Sequence, residues 1–120
     1  MVAIIRPSWQ QYFINIAEAV AMRASCPRAS CGAVIVSTDN RILSTGYNGS
    51  PKGQPSCYEV GCAVDADHCQ TAIHAEVNAV AWAARKGISL EGSRLYLYSD
   101  KYATPCRNCI KILTAAGVSW

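Results

Sequence analysis

No apolar run in the sequence approaches the roughly 20 residues that cross a bilayer, so a soluble domain is expected. Residues 1–6 lack the basic start, long apolar stretch and small-residue cleavage site of an export leader, so a cytoplasmic location is expected. Charge is sparse too. Only 16% of the 120 residues are charged, and the eleven Lys and Arg behind a formal net charge of +3 are scattered, not gathered into a basic stripe with interleaved aromatics. Extended nucleic-acid binding is not expected. No repeat or low-complexity segment occurs, and 51% apolar content over this length fits one compact domain spanning residues 1–120. What the chain has in excess is cysteine. Seven cysteines without an export signal point to metal ligation instead of disulfides, because cytoplasmic thiols are kept reduced, and the odd number agrees.

The apolar spacing of Phe13, Ile16, Ala17, Val20 and Ala21, opened by Ser8 as N-cap, predicts a helix over residues 9–24 that Pro27 ends. A β-branched run over 32–37, the turn residues Thr38, Asp39 and Asn40, and a second run over 41–46 predict a hairpin. Residues 47–71 carry Gly, Pro, Cys and polar side chains with neither hydrophobic period, a length of irregular chain that is usually functional and needs an anchor such as a metal. A second helix is predicted over 73–86 with Val77, Val80, Ala81 and Ala84 as its apolar stripe and Gly87 as its stop. A strand over 94–99, a third helix over 106–116 started by Thr104 and Pro105, and a short strand at 118–120 complete the order. The alternation α-β-β-α-β-α-β implies a three-layer α-β-α fold with a mixed central sheet.

His74-Ala75-Glu76 opens the second predicted helix and Pro105-Cys106-Arg107-Asn108-Cys109 opens the third, which is the H-x-E and P-C-x-x-C pattern of zinc deaminases. Cys106 and Cys109 are three apart, so on a helix they share a face and can reach one metal ion. At a helix N-terminus backbone donors and the macrodipole favour the thiolate, the form that ligates zinc. Three protein ligands, His74, Cys106 and Cys109, leave a tetrahedral position open and imply catalysis, where four would imply structure. Glu76, two residues from His74, does not share its face in a regular turn, so the pair must sit at the helix start. There Glu76 can take a proton from water and return it to the ring nitrogen and the leaving amine.

With these motifs and the segments Arg23-Ala24-Ser25-Cys26-Pro27-Arg28, Gly32-Ala33-Val34-Ile35-Val36 and Gly46-Tyr47-Asn48-Gly49, the sequence resembles the deoxycytidylate deaminases of the cytidine deaminase superfamily over nearly its whole length. The resemblance implies zinc-dependent hydrolysis of dCMP to dUMP and ammonia, supplying dUMP for thymidylate synthesis. It implies that Asn48 hydrogen-bonds the sugar and that Arg85 serves a subunit interface or an effector site. Homohexamers, activation by dCTP and inhibition by dTTP with Mg²⁺ are implied in the same way. Relative to the family, the connection over 99–104 is longer, and the usual further C-terminal strand and helix are absent or trimmed.

Cys26, Cys57, Cys62, His68 and Cys69 gather around the irregular stretch, and a structural zinc needs four such ligands. By resemblance Cys26 and Cys57 match the ligand positions of a noncatalytic zinc, which His68 with either Cys69 or Cys62 completes. Cys31, beside Gly32, reads as a core residue. Arg28, Lys101 and Arg107 are the candidate cations for a substrate phosphate. Deaminases of other free nucleosides and nucleotides share the signature, and a noncatalytic zinc-binding nucleotide sensor is the rival of a different class; an intact Glu76 favours an enzyme.

Overall fold

The structure, a computed structural model, describes residues 5–65 and 68–120 apart from the His68 side chain. Its elements in chain order are α1 (Trp9–Ala21), β1 (Cys31–Val36), β2 (Ile42–Tyr47), α2 (Cys57–Val60), β3 (Val64–Asp65), β4 (His68–Cys69), α3 (Ala75–Lys86), β5 (Ser93–Ser99), α4 (Arg107–Ala115) and β6 (Val118–Ser119). The main sheet has the order β2-β1-β5-β6, with β1 antiparallel to both neighbours and β6 parallel to β5. β2 and β5 therefore run the same way on either side of β1. The predicted mixed sheet is present, and the stretch over 47–71, expected to be irregular throughout, also contains α2 and the small antiparallel pair β3 and β4.

β1 is buried on both faces, and its alternation separates two cores. Val34 and Val36 pack with Phe13 and Ala17 of α1, whereas Ala33 and Ile35 pack with Ala75, Ala79 and Ala83 of α3, Leu95 of β5 and Leu113 of α4. The layers are α1, sheet, and α3 with α4. Two glycines set how close these layers come. A Cβ on Gly32 would lie 2.0 Å from the carbonyl oxygen of Ala17, and one on Gly46 would lie 2.4 Å from that of Ala75. Each glycine thus admits a helix backbone directly onto its strand, one on each side of the sheet.

That close approach corrects part of the apolar stripe predicted for α3, of which Val80 does pack against the core. The residues against the sheet are Ala75, Ala79 and Ala83, while Ala81 and Ala84 are exposed and Val77 is only half-buried. At Gly46 only alanine fits between helix and strand, so Ala75, Ala79 and Ala83 turn inward with Val80 beside them, and Ala81 and Ala84 of the predicted stripe do not. α1 is also shorter than predicted, ending at Ala21 before the turn that leads toward Pro27. Its N-cap is as expected: Ser8 Oγ accepts the Gln11 N–H at 3.1 Å. Ser8→Ala is expected to lower stability by about 1 kcal/mol, read as a smaller urea midpoint at unchanged slope.

The topology brings together the C-terminal ends of β2 and β5 and the N-terminal end of β1, where Gly32 pairs with Tyr47 and Cys31 with Ser99. Strand ends of this kind are where open α/β sheets bind ligands.

Candidate metal centre and active-site cavity

Both predicted motifs start helices, later than the sequence suggests: α3 begins at Ala75 against an expected 73, and α4 at Arg107 against an expected 106. His74 and Cys106 are the N-caps of α3 and α4, each in extended backbone, with Thr104 and Pro105 preceding the cap instead of forming it. An N-cap side chain points back over its own first turn, so Cys106 and Cys109 converge there, and His74 arrives from the neighbouring helix start. His74 Nδ1 lies 3.2 Å from Cys109 Sγ and 3.4 Å from Cys106 Sγ. All three ligand atoms fall within 4.8 Å of one another. Tetrahedral zinc, at ordinary Zn–N and Zn–S lengths, holds nitrogen and sulfur donors about 3.5 Å apart, so the set fits the ion. Its chemistry fits as well. Burial, and after it the negative charge of Glu76, pushes the Cys109 thiol far up, so a thiolate at this position needs a cation beside it.

Glu76 is in the first turn of α3 and only 6% exposed. It lines a cavity of about 230 Å³ together with His74, Cys106, Asn48, Arg28 and Tyr102. A buried carboxylate beside a metal-ligand set in a cavity is the arrangement general acid-base chemistry needs.

The irregular stretch gathers a second set. The Sγ atoms of Cys26, Cys57, Cys62 and Cys69 lie within 4.8 Å of one another, with Cys26 to Cys62 at 3.6 Å and Cys57 to Cys69 at 3.5 Å. A tetrahedral four-thiolate zinc site places its sulfurs about 3.8 Å apart. The structure thus brings in Cys62 beside Cys26, Cys57 and Cys69, while the His68 side chain lies outside the described residues. Around Cys69, burial opposes ionisation, but the backbone N–H groups of Ala72 and Thr71 and the Cys57 thiol outweigh it, drawing the thiol to about 7. Cys57 is pushed strongly up, first by burial and then by its cysteine neighbours. Cys26 and Cys69 also line the cavity that holds Glu76, so the cluster forms part of its wall.

Asn48 does more than face the cavity. Its Oδ1 accepts the Cys31 N–H and its Nδ2 donates to the Ala29 carbonyl, both at 2.8 Å, which braces the segment 28–31. Asn78 of α3 in turn donates to the Tyr47 carbonyl at 2.9 Å, fixing the Tyr47-Asn48-Gly49 turn to the helix that carries Glu76. Cys31, expected in the core, packs against it as a half-buried residue and also lines the cavity, its thiol 3.2 Å from Ser99 Oγ. Of the three candidate phosphate cations, Arg28 lines the cavity; Lys101 instead lies over the Tyr102 ring. Arg85 is away from the cavity on exposed α3, its guanidinium 5.3 Å from the centre of the Trp82 ring, with the Lys52 ammonium 5.8 Å from the same ring. Tyr102 was not singled out by sequence; the only signal was its place in the lengthened connection before Pro105.

No helix among the described residues is long and apolar enough to cross a membrane. The family model for the cytidine and deoxycytidylate deaminase zinc-binding region matches residues 7–119. The chain is 41% identical over 113 residues to ComE operon protein 2 of Bacillus subtilis (strain 168), a match covering 94% of this chain but 57% of that protein. It is 36% identical over 129 residues to the deoxycytidylate deaminase of Mycobacterium phage D29, covering 94% of this chain and 91% of the phage protein. Among solved structures, dCMP deaminase of cyanophage S-TIM5 in complex with dCMP and dUMP matches with a TM-score of 0.76 at 29% identity, over 96% of this chain and 79% of that one. With the ligand pattern, the fold and these relatives in agreement, the chain belongs to the cytidine and deoxycytidylate deaminase family.

Proposed function

We propose that the chain hydrolyses dCMP to dUMP and ammonia, with His74, Cys106 and Cys109 as zinc ligands and Glu76 as the proton carrier. The observation that carries this reading is the convergence of two helix starts, which groups three candidate ligand side chains and brings two of them, His74 and Cys106, to one cavity with the buried Glu76. Zinc held by His74, Cys106 and Cys109 would supply a nucleophilic water at neutral pH. Glu76 accepts one proton from the attacking water and delivers it to the ring nitrogen, then carries the second, from the newly added hydroxyl, to the departing amine. Water oxygen becomes the new carbonyl oxygen, the carbon to exocyclic nitrogen bond breaks, and the nitrogen leaves as ammonia. The dUMP formed would supply thymidylate synthesis.

Arg28 supports a nucleotide over a nucleoside. It lines the cavity on a segment braced by Asn48, and a monophosphate brings about two negative charges for its planar fork. Two charge-assisted bonds of roughly 1.5 to 3 kcal/mol each give dCMP more than ~100-fold over deoxycytidine in kcat/KM. Arg28→Gln should raise KM for dCMP at least ~10-fold, the equivalent of one such bond, and leave deoxycytidine unchanged. Equal efficiency of the wild-type protein on both would contradict the nucleotide assignment and favour a nucleoside deaminase.

In the same reading the four-cysteine cluster holds a second, structural zinc. Asn48, with part of its hydrogen-bonding capacity committed to the backbone, retains a second amide hydrogen and lone pair for a sugar hydroxyl. The surface formed by exposed Arg85 and Lys52 around half-buried Trp82 is where a neighbouring subunit of a hexamer, or a triphosphate effector such as dCTP or dTTP with Mg²⁺, would be met.

A further inference from the structure

Tyr102 is an aromatic side chain that the hydrophobic core does not explain. It is 50% exposed, yet it lines the cavity that contains His74, Glu76 and Cys106. The connection presenting it is fastened at several points. Ser99 Oγ accepts the N–H of Lys101 at 3.1 Å and that of Tyr102 at 2.9 Å. Asp100 and Ser30 bond in both directions: the Ser30 N–H donates to Asp100 Oδ1 at 2.9 Å, and the Asp100 N–H donates to the Ser30 carbonyl at 3.2 Å. These bonds join the connection to the segment that carries Arg28. The Lys101 ammonium lies 5.7 Å from the centre of the Tyr102 ring, within range of a cation-π contact.

A loop held at its first residues and tied to the segment entering the neighbouring strand β1 presents its aromatic ring in one place. The other apolar lining residues near the metal ligands, such as Ala72, Ile73 and Leu97, are aliphatic. A cytosine nucleotide has one flat, polarisable part, its base, and aromatic rings recognise it by stacking. We propose that Tyr102 is a substrate-contacting residue whose ring stacks on the pyrimidine, with Lys101 held against the ring and Ser99 and Asp100 fixing the loop that presents it. The inference rests on the deaminase reading for its substrate. Tyr102 contributes uniform binding, acting on KM and not on the proton transfers of Glu76.

The test compares Tyr102→Ala and Tyr102→Phe with the zinc-loaded wild-type protein, using ammonia release from dCMP and deoxycytidine and calorimetric titration with dUMP. Circular dichroism confirms that each variant is folded. Tyr102→Ala should weaken dUMP binding and raise KM for both substrates by about 5- to 100-fold, the range measured for base stacking on aromatic side chains, with kcat nearly unchanged. Tyr102→Phe should match the wild type. Unchanged dUMP affinity in Tyr102→Ala overturns the proposal. So does a loss in Tyr102→Phe equal to that in Tyr102→Ala and confined to phosphorylated ligands, which would make the contact phenol to phosphate. If the wild type releases no ammonia from either substrate, the proposed function fails, and the dUMP titration still decides the role of Tyr102.

Discussion

Glu76→Gln is expected to retain the catalytic zinc and the fold while turnover falls at least ~100-fold, the lower end of what a positioned acid-base group supplies. The substitution keeps the volume of a side chain that is nearly inaccessible at the start of α3, so packing against the sheet should survive. It also removes a negative charge that pushes the Cys109 thiol up, so metal retention should be at least as good as in the wild type. Zinc content by atomic absorption and ammonia release on the same preparation separate the two effects. Turnover close to wild type would remove Glu76 from the mechanism; zinc loss would make it a structural support for the site.

Cys57→Ala should act on the other metal set. The zinc-loaded wild type is expected to carry about two zinc per chain, and the variant one. Cys57 is buried at the start of α2, 3.5 Å from Cys69 Sγ, so its loss leaves other thiolates of the cluster short of a shared cation. Leaving buried charge uncompensated typically costs 3 to 5 kcal/mol, and the stability of the variant should fall by about that much. Because Cys26 and Cys69 also line the catalytic cavity, KM should rise as well. One zinc in both proteins would reduce the four thiols to ordinary packing.

The candidate ligand set His74, Cys106 and Cys109 was legible because each member is fixed by local chemistry. A proline before C-x-x-C and an H-x-E before an alanine-rich run both write helix starts into the chain, and the metal set follows from where two helices begin. Less legible was anything that depends on close approach between elements. The inward face of α3 could not be read from hydrophobicity, because Gly46 on another element decides which α3 side chains fit. The loop cluster was foreseen as a group of ligands, but which of them meet depends on how α2, β3 and β4 fold back on Cys26, and no periodicity records that. Asn48 was expected to face the sugar; its bonds to Ala29 and Cys31 show a bracing role that a single turn sequence cannot reveal. Tyr102 sits in a connection with no repeating pattern, and only the shape of the cavity marks it.

Ammonia release by zinc-loaded protein, measured in parallel on dCMP, deoxycytidine, CMP and cytidine, tests the central claim most directly. The expected result is one ammonia per dUMP formed from dCMP, with dCMP favoured over deoxycytidine by more than ~100-fold in kcat/KM, the preference expected of two charge-assisted phosphate bonds. Protein carrying its full complement of zinc that releases no ammonia from any of the four would contradict the account.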